Sequence, residues 1–397
     1  MRILLSLLLL LLTAGQAAAA TPAHMNEQVL MIKVGSGLNA VQLETTLFRP
    51  DGDGPFPLVV INHGKSAGNP ALQERARFLA ASREFVRRGY AVALPMRSGF
   101  SKSTGSYISG GCNFTSNGEM QARWVDGAIQ WLRQQPYIDR ERIVVAGQSH
   151  GGLTALALGT RSPAGVRGVI NFAGGLKWDE CNWQNDLLQA VQSYGGRSKL
   201  PSLWFYGDND SHFAPALWKE MNARYTAAGG HARLVAYGSF GSDAHKMFSS
   251  SLGVPVWVPQ VEKFLAALGL PHQVTVAVDE SARPARSEFA RLEDTSALPH
   301  VGDAGRKGYR SFLGEALPRA FAVGENGAWG YAVDGDEPVA RALEYCQQHS
   351  RTTCALYAVD EEVVWRGEPK LQTARSGAQG KIERPSASAS GAGNIQH

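Results

Sequence analysis

An α/β fold is predicted for most of this 397-residue chain: a doubly wound, mostly parallel sheet, followed by a small C-terminal α+β unit. Three observations predict it. Between residues 28 and 270, short apolar runs end in glycine, as in "PLVVINHG" (57–64) and "RIVVAG" (142–147), and such runs suit strands buried on both faces. Segments with apolar residues at helical spacing separate these runs, and that alternation implies parallel β-α-β units. After residue 270 the alternation stops.

"VQLETTLFRP" (41–50) alternates as a strand does, and "PLVVINHG" is the next strand. Phe78, Leu79, Phe85 and Val86 share a helix face that Gly89 terminates. "YAVALPM" (90–96) is a strand, and the Gly- and Ser-rich residues 97–115 form a loop. Trp124, Val125, Ala128, Trp131 and Leu132 make the stripe of a second helix. "RIVVAG" leads into a helix after Ser149, and "GVRGVINFAG" (165–174) is another strand. Residues 175–200 form a long excursion. "SLWFYG" (202–207), a helix over 215–228, "ARLVAYG" (232–238) and a helix over 258–270 close a main domain spanning residues 21–270. Residues 271–304 read as a linker. Residues 305–370 read as the small unit, with a helix in "EPVARALEYCQQHS" and strands in "TCALYAVD" and "EVVWRG". Residues 371–397, rich in Ser, Ala and Gly, read as a disordered tail.

Hydrophobic content of 44% and charged content of 19% indicate a globular chain, and the scattered Lys and Arg residues leave no nucleic-acid footprint. The N-terminus places one Arg2 before an apolar run and ends in "AAAA" at residue 20, the pattern of a secretory signal peptide cleaved there. The run is too short to span a bilayer, and Gln16 stands where a lipid-anchored chain would carry cysteine, so no stable membrane anchor is expected. The expected location is periplasmic or secreted. Four cysteines behind such a segment suggest two disulfides. Cys346 and Cys354 pair because they are close in the late segment, which leaves Cys112 for Cys181. No Cys or His spacing suggests a metal site.

The chemistry centres on Gly147-Gln148-Ser149-His150-Gly151. Passing from strand to helix at a single residue forces that residue into an unfavourable backbone conformation, and only glycine fits two positions to either side. The turn projects Ser149 out of the sheet as a nucleophile. A serine nucleophile needs a base, and the base needs an orienting carboxylate. The chain supplies Asp208 and Asp210 after "SLWFYG" and His245 after "ARLVAYG".

With "VVINHG", "RSGFSKSTG", "GQSHGG", "YGDND" and "SDAHKMF", residues 40–270 resemble the α/β-hydrolase superfamily, and most closely its dienelactone-hydrolase-like branch of serine esterases. The resemblance implies the α/β-hydrolase fold, Ser149 as nucleophile and His245 as base, with no cofactor. The family's acid commonly falls three positions after the strand-terminal glycine, which selects Asp210 over the alternative Asp208. Dienelactone hydrolases proper use cysteine where this chain has Ser149. The backbone N–H groups of His150 and Lys65 are the expected oxyanion-hole donors. His63, His212, His231 and the side chain of His150 are expected to be structural, and Asp243 a solvated loop carboxylate.

A Cys112–Cys181 bridge would tie the 97–115 and 175–200 loops together over the site. Phe100, Tyr107, Phe114, Trp178 and Trp183 would then line an aromatic pocket for a small-molecule ester. The expected reaction is ester hydrolysis through an acyl-enzyme. The rivals are a serine peptidase or an acyltransferase using the same triad, and a non-catalytic hydrolase-like binding protein. The small unit is expected either to bind an envelope partner or to stabilise the enzyme.

Overall fold

The computed structural model describes residues 25–278, 284–315, 317–333 and 337–367. The expected signal peptide and the 371–397 tail lie outside them. The first unit runs β1 (Gln28–Val34), β2 (Val41–Phe48), β3 (Phe56–Asn62), α1 (Leu79–Arg87), β4 (Ala91–Pro95), α2 (Phe114–Leu132), β5 (Ile138–Gln148) and α3 (His150–Gly159). It continues through β6 (Val166–Phe172), α4 (Trp183–Arg197), β7 (Ser202–Tyr206), α5 (Pro215–Ala227), β8 (Ala232–Ala236) and α6 (Val254–Ala267). The sheet has the order β1-β2-β4-β3-β5-β6-β7-β8. β1, β2 and β4 pair antiparallel, and the strands from β4 through β8 pair parallel.

The period-two side-chain alternation of the strands builds two cores. Ile143 and Val145 of β5 face α2, α3, α4 and α5, and pack with Val125, Ile129, Leu153, Leu187 and Met221. Val144 and Ala146 face α1 and α6, and pack with Phe85, Val86, Trp257 and Leu265. That two-sided burial is why these strands read as unbroken apolar runs. Two elements depart from the sequence reading. β1 adds an edge strand, and the 175–200 excursion contains α4, whose Leu187, Ala190, Val191 and Tyr194 recur at helical spacing and are buried.

The second unit contains α7 (Asp303–Leu313), β9 (Arg319–Gly324), β10 (Trp329–Val333), α8 (Pro338–Gln348), β11 (Cys354–Val359) and β12 (Glu362–Val363). Its antiparallel sheet has the order β10-β9-β11-β12, so two strands join the pair expected. One face packs aromatics, Phe321, Tyr331 and Tyr357, against Tyr309 and Phe312 of α7. The other face is built from Ala320, Ala322 and Ala332, small enough for α8 to approach through Ala342 and Cys346. Leu298 and Val301, in the stretch expected to be a linker, are buried in the aromatic core. Both expected disulfides form: Cys112–Cys181 with a Cα–Cα distance of 5.5 Å, and Cys346–Cys354 at 6.1 Å.

Candidate active site

In a parallel sheet the loops leaving the strands' carboxyl ends emerge at one edge, where α/β proteins place their sites. Here that edge collects His63–Lys65 after β3, Arg97–Asn113 after β4, Ser149 after β5, Asp208–Phe213 after β7 and the loop to His245 after β8. Ser149 has φ 55° and ψ −125°, a strained conformation for a residue with a side chain. A Cβ on Gly147 would strike the Gly151 carbonyl, and one on Gly151 would strike the Asn62 carbonyl. The glycines are thus required by crowding on both sides of the turn. The Ser149 N–H is held by the Phe172 carbonyl at 3.0 Å, and its carbonyl receives the N–H groups of Gly152, Leu153 and Gly175.

His245 faces the carboxylate of Asp210, its Nδ1 lying 3.1 Å from Oδ2 and 3.2 Å from Oδ1. A carboxylate only accepts, so Nδ1 carries a proton, and in the neutral ring Nε2 is the nitrogen left with its lone pair. The Asp210 carboxylate has no solvent exposure, and its Oδ1 also accepts the N–H groups of His212 (2.8 Å) and Phe213 (2.9 Å). Asp208 is exposed, and its N–H is tied to the Gly238 carbonyl at 2.8 Å. The structure therefore brings Asp210, not Asp208, to His245. Among the described residues there is no hydrogen bond between the Ser149 hydroxyl and His245. Their two loops are joined instead by Gln148, whose Nε2 donates to the His245 carbonyl at 2.7 Å.

Several side chains have other duties than those expected. Asp243 is no solvated carboxylate: it accepts from the N–H of His245 at 2.9 Å and from both the N–H and hydroxyl of Ser211. It therefore anchors the backbone of the candidate base. Burial alone would raise its pKa, but those hydrogen bonds outweigh burial and hold it below the usual carboxylate range. His212 stacks on His245 with ring centroids 4.3 Å apart. Burial, followed by the neighbouring His245, lowers its pKa. Asp210, His212 and His245 have ligating atoms within 4.8 Å of one another, but Asp210 is already engaged by three donors. The similar grouping of Cys112, Cys181 and Asp186 has both sulfurs in a disulfide.

The aromatic pocket is corrected in part. Phe100 is fully buried, wedged edge-on against His63 (4.7 Å) and Tyr107 (5.3 Å), and so packs the loop rather than lining a pocket. Phe114 is likewise core. Tyr107 is half-buried, edge-on to His150 at 5.9 Å and beneath the Lys65 ammonium. Trp178 and Trp183 are half-buried on the core, and Trp183 meets Phe213, which itself contacts the His245 ring at 5.5 Å. A cavity of about 520 Å³ lies beside the Cys112–Cys181 bridge, lined by Asn113, Glu119, Asp186 and neighbours, and none of Ser149, Asp210 and His245 lines it.

Behind the edge lies an arrangement that sequence reasoning missed. Arg97 is fully buried. Its Nη1 donates to the His63 carbonyl (2.7 Å), its Nη2 to His150 Nδ1 (3.1 Å), and its backbone N–H to His63 Nε2 (3.1 Å). A donor at each of those ring nitrogens requires it to be an acceptor, which fixes both tautomers. The His63 Nδ1–H then donates to the Gly64 carbonyl (2.6 Å), and the His150 Nε2–H to Asn117 Oδ1 (2.7 Å). Burial first, and the Arg97 charge second, hold both imidazoles well below the ordinary histidine pKa, so both are neutral. Burial pushes Arg97 itself down to about 9, still a cation at neutral pH. The available signal was an arginine directly after an apolar strand run, in "LPMRSG".

Comparison with known proteins bears on the same region. Residues 37–234, just under half of the chain, match the family model described as X-Pro dipeptidyl-peptidase (S15 family). The match takes in Ser149 and Asp210 and stops short of His245. No curated protein matches the chain. Among solved structures, the chain is similar to a Klebsiella pneumoniae protein described as a dienelactone hydrolase (17% identity, TM-score 0.45, 61% of this chain and 98% of that one). It is also similar to a Pyrococcus furiosus esterase (15%, TM-score 0.45, 62% and 92%) and to Porphyromonas gingivalis dipeptidyl peptidase 4 (18%, TM-score 0.46, 61% and 35%). The mostly parallel sheet and the strained serine turn after β5 are those of the α/β-hydrolase fold, and the hydrolase family match falls on the same residues.

Proposed function

We propose that this hydrolase is an exported serine esterase that cleaves carboxylic esters through an acyl-enzyme on Ser149. The observation that carries the reading is a serine on a strained turn at the same sheet edge as a histidine held by a buried aspartate. In the proposed reaction Ser149 Oγ attacks the ester carbonyl carbon as His245 Nε2 takes its proton. The tetrahedral oxyanion is met by the N–H groups of His150 and Lys65. Collapse expels the alcohol, which takes the proton from His245 Nε2. Water then attacks the acyl-enzyme with the same base and releases the acid. His150 occupies the first position of α3, where an N–H has no intrahelical acceptor and is free for this task.

The family match favours a second reading, a peptidase that removes Xaa-Pro dipeptides. Such an enzyme must hold a free N-terminal ammonium, which calls for a carboxylate at the site. Asp210 and Asp243 are engaged with His245 and its loop, Lys177 over Trp183 pairs with Asp179 at 3.6 Å, and Lys65 stands over Tyr107 with no carboxylate partner among the described residues. The Lys65 charge, next to the glycine that lies against Ser149, supports the ester. Export is supported by the N-terminal sequence and by the two disulfides. No helix among the described residues is long and apolar enough to cross a membrane.

The test is labelling of the mature protein with a fluorophosphonate, beside Ser149→Ala, followed by p-nitrophenyl esters of increasing acyl length and an Xaa-Pro-p-nitroanilide. Labelling of the parent alone, with turnover of esters, is the expected result. Faster turnover of the anilide would replace the esterase by the peptidase, and an unlabelled folded parent would overturn both.

A further inference from the structure

The geometry points to Arg97 as a positioning residue for the oxyanion hole: a buried cation, unmatched by any carboxylate among the described residues, that aims both N–H donors and adds positive charge behind them. The inference rests on the serine-hydrolase reading above. Its starting point is an imbalance. The Arg97 side chain is fully buried, no carboxylate among the described residues pairs with it, and its Nε has no hydrogen-bond partner. An unpaired buried charge is costly. Its remaining contacts are the His63 carbonyl, the His150 ring and the face of Phe100 at 5.1 Å. Two of those three belong to the segments that carry the candidate oxyanion donors.

The first arm runs through His63. In a trans peptide the N–H points opposite to the carbonyl, so whatever holds the Gly64 carbonyl aims the Lys65 N–H. That carbonyl accepts His63 Nδ1–H at 2.6 Å and Gln73 Nε2 at 3.3 Å. The Arg97 backbone N–H occupies His63 Nε2 and so leaves Nδ1 to donate, while the side chain's own contribution is Nη1, which pins the His63 carbonyl. Gly64 in turn lies against Ser149, since a Cβ built on it would sit 3.4 Å from the serine Cβ. The second arm runs through His150. Arg97 Nη2 and Asn117 Oδ1 clamp its ring from opposite sides, which fixes the residue whose own N–H is the other donor. One guanidinium therefore spans the two loops that must converge on a developing oxyanion. Among buried groups such as Arg97, His63 and His150, a fixed positive charge behind those donors stabilises the charged state more than the neutral ester.

The test compares Arg97→Met with the parent for a p-nitrophenyl ester the parent turns over, and for binding of a phenylboronic acid, whose tetrahedral adduct carries the oxyanion. The expected result is a kcat lower by about 10- to 100-fold with KM within about threefold, and a matching loss of boronate affinity. Arg97→Lys, which keeps the charge and loses the two-handed grip, should fall between the two. If Arg97→Met does not fold, Arg97→Lys carries the same comparison. Unchanged kcat, or a kcat loss without loss of boronate affinity, would make Arg97 a packing residue and overturn the inference. A parent that is not labelled by fluorophosphonate fails the underlying reading instead, before any variant is measured.

Discussion

Three arginines are buried among the described residues: Arg88, paired with Glu84 and Glu262, and Arg97 in the first unit, and Arg319 in the second; the last two are treated differently. Arg319, at the start of β9, donates from Nη1 to the carbonyls of Phe312 (2.9 Å), Leu313 (2.7 Å) and Glu315 (2.8 Å). Its Nε reaches the Asp360 carbonyl at 3.2 Å, and its guanidinium covers the Phe312 ring. It caps the C-terminal end of α7, where carbonyls lack intrahelical donors and positive charge is favoured. Arg97 has one carbonyl, two histidines and an unused Nε. A buried cation whose acceptors are spent on a helix end is explained by folding. One that leaves hydrogen-bonding capacity unused, at the edge that carries Ser149 and His245, is not. The difference between the units is thus between polar groups that complete an element and polar groups that aim at something outside themselves.

The sharpest break between the two roles is expected within one loop. Asp210→Asn should lower kcat by about 10⁴-fold, because the amide no longer enforces the Nδ1–H tautomer of His245, while Asp208→Asn should stay within about twofold. Steady-state ester turnover measures both, and equal losses would remove the assignment of Asp210. Next come the disulfides. Cys112–Cys181 closes a loop of 69 residues and Cys346–Cys354 one of 8. On chain-entropy grounds, opening them by paired Cys→Ser changes should cost about 4 and about 2.5 kcal/mol in urea unfolding. Arg319→Met should cost about 3 kcal/mol, by stranding the α7 carbonyls, with ester kcat/KM unchanged.

The neutral histidines give a pH effect of similar size. His63 and His150 have depressed pKa values in the folded protein, with burial the main cause, so the unfolded chain binds protons first as pH falls. Stability should therefore be full above the unfolded histidine value of about 6.5 and be lost below it, by about 2.7 kcal/mol per pH unit while both remain unprotonated. Urea midpoints at pH 7.5 and 5.5 measure this; half the slope would mean that one of the two is charged in the folded protein, and a flat profile that both are. The smallest contrast lies among the aromatics. Phe100→Leu should cost about 1.5 kcal/mol of stability, and Trp183→Ala should change KM more than kcat.

The glycines of the serine turn, the order Ser149, Asp210, His245, and the alternation of strand and helix were legible because each depends on local chemistry or on a period in the sequence. β1 was not, because an edge strand has one partner and a weaker apolar signal: Val29 and Met31 are half-exposed. α4 was hidden by the aromatic residues and the cysteine in front of it, although its buried positions have a clear helical period. Phe100 was placed in a pocket because its loop was rightly put at the site, but loop membership does not say which way a ring points. In the structure that ring fills the space between His63 and Tyr107.

What the sequence by itself determined is therefore what spacing can encode: the parallel sheet, the strained turn at Ser149, the two cysteine pairs and the candidate base and acid. Tertiary structure alone decided which long-range partners meet. It brought Arg97 to His63 and His150 across 34 and 53 residues, Asp243 to Ser211 across 32, and Gln148 to His245 across 97. The physical reason is that a tautomer, a buried charge or an aimed N–H depends on what lies within about 3 Å of it, and in a doubly wound sheet those neighbours arrive from separate strands.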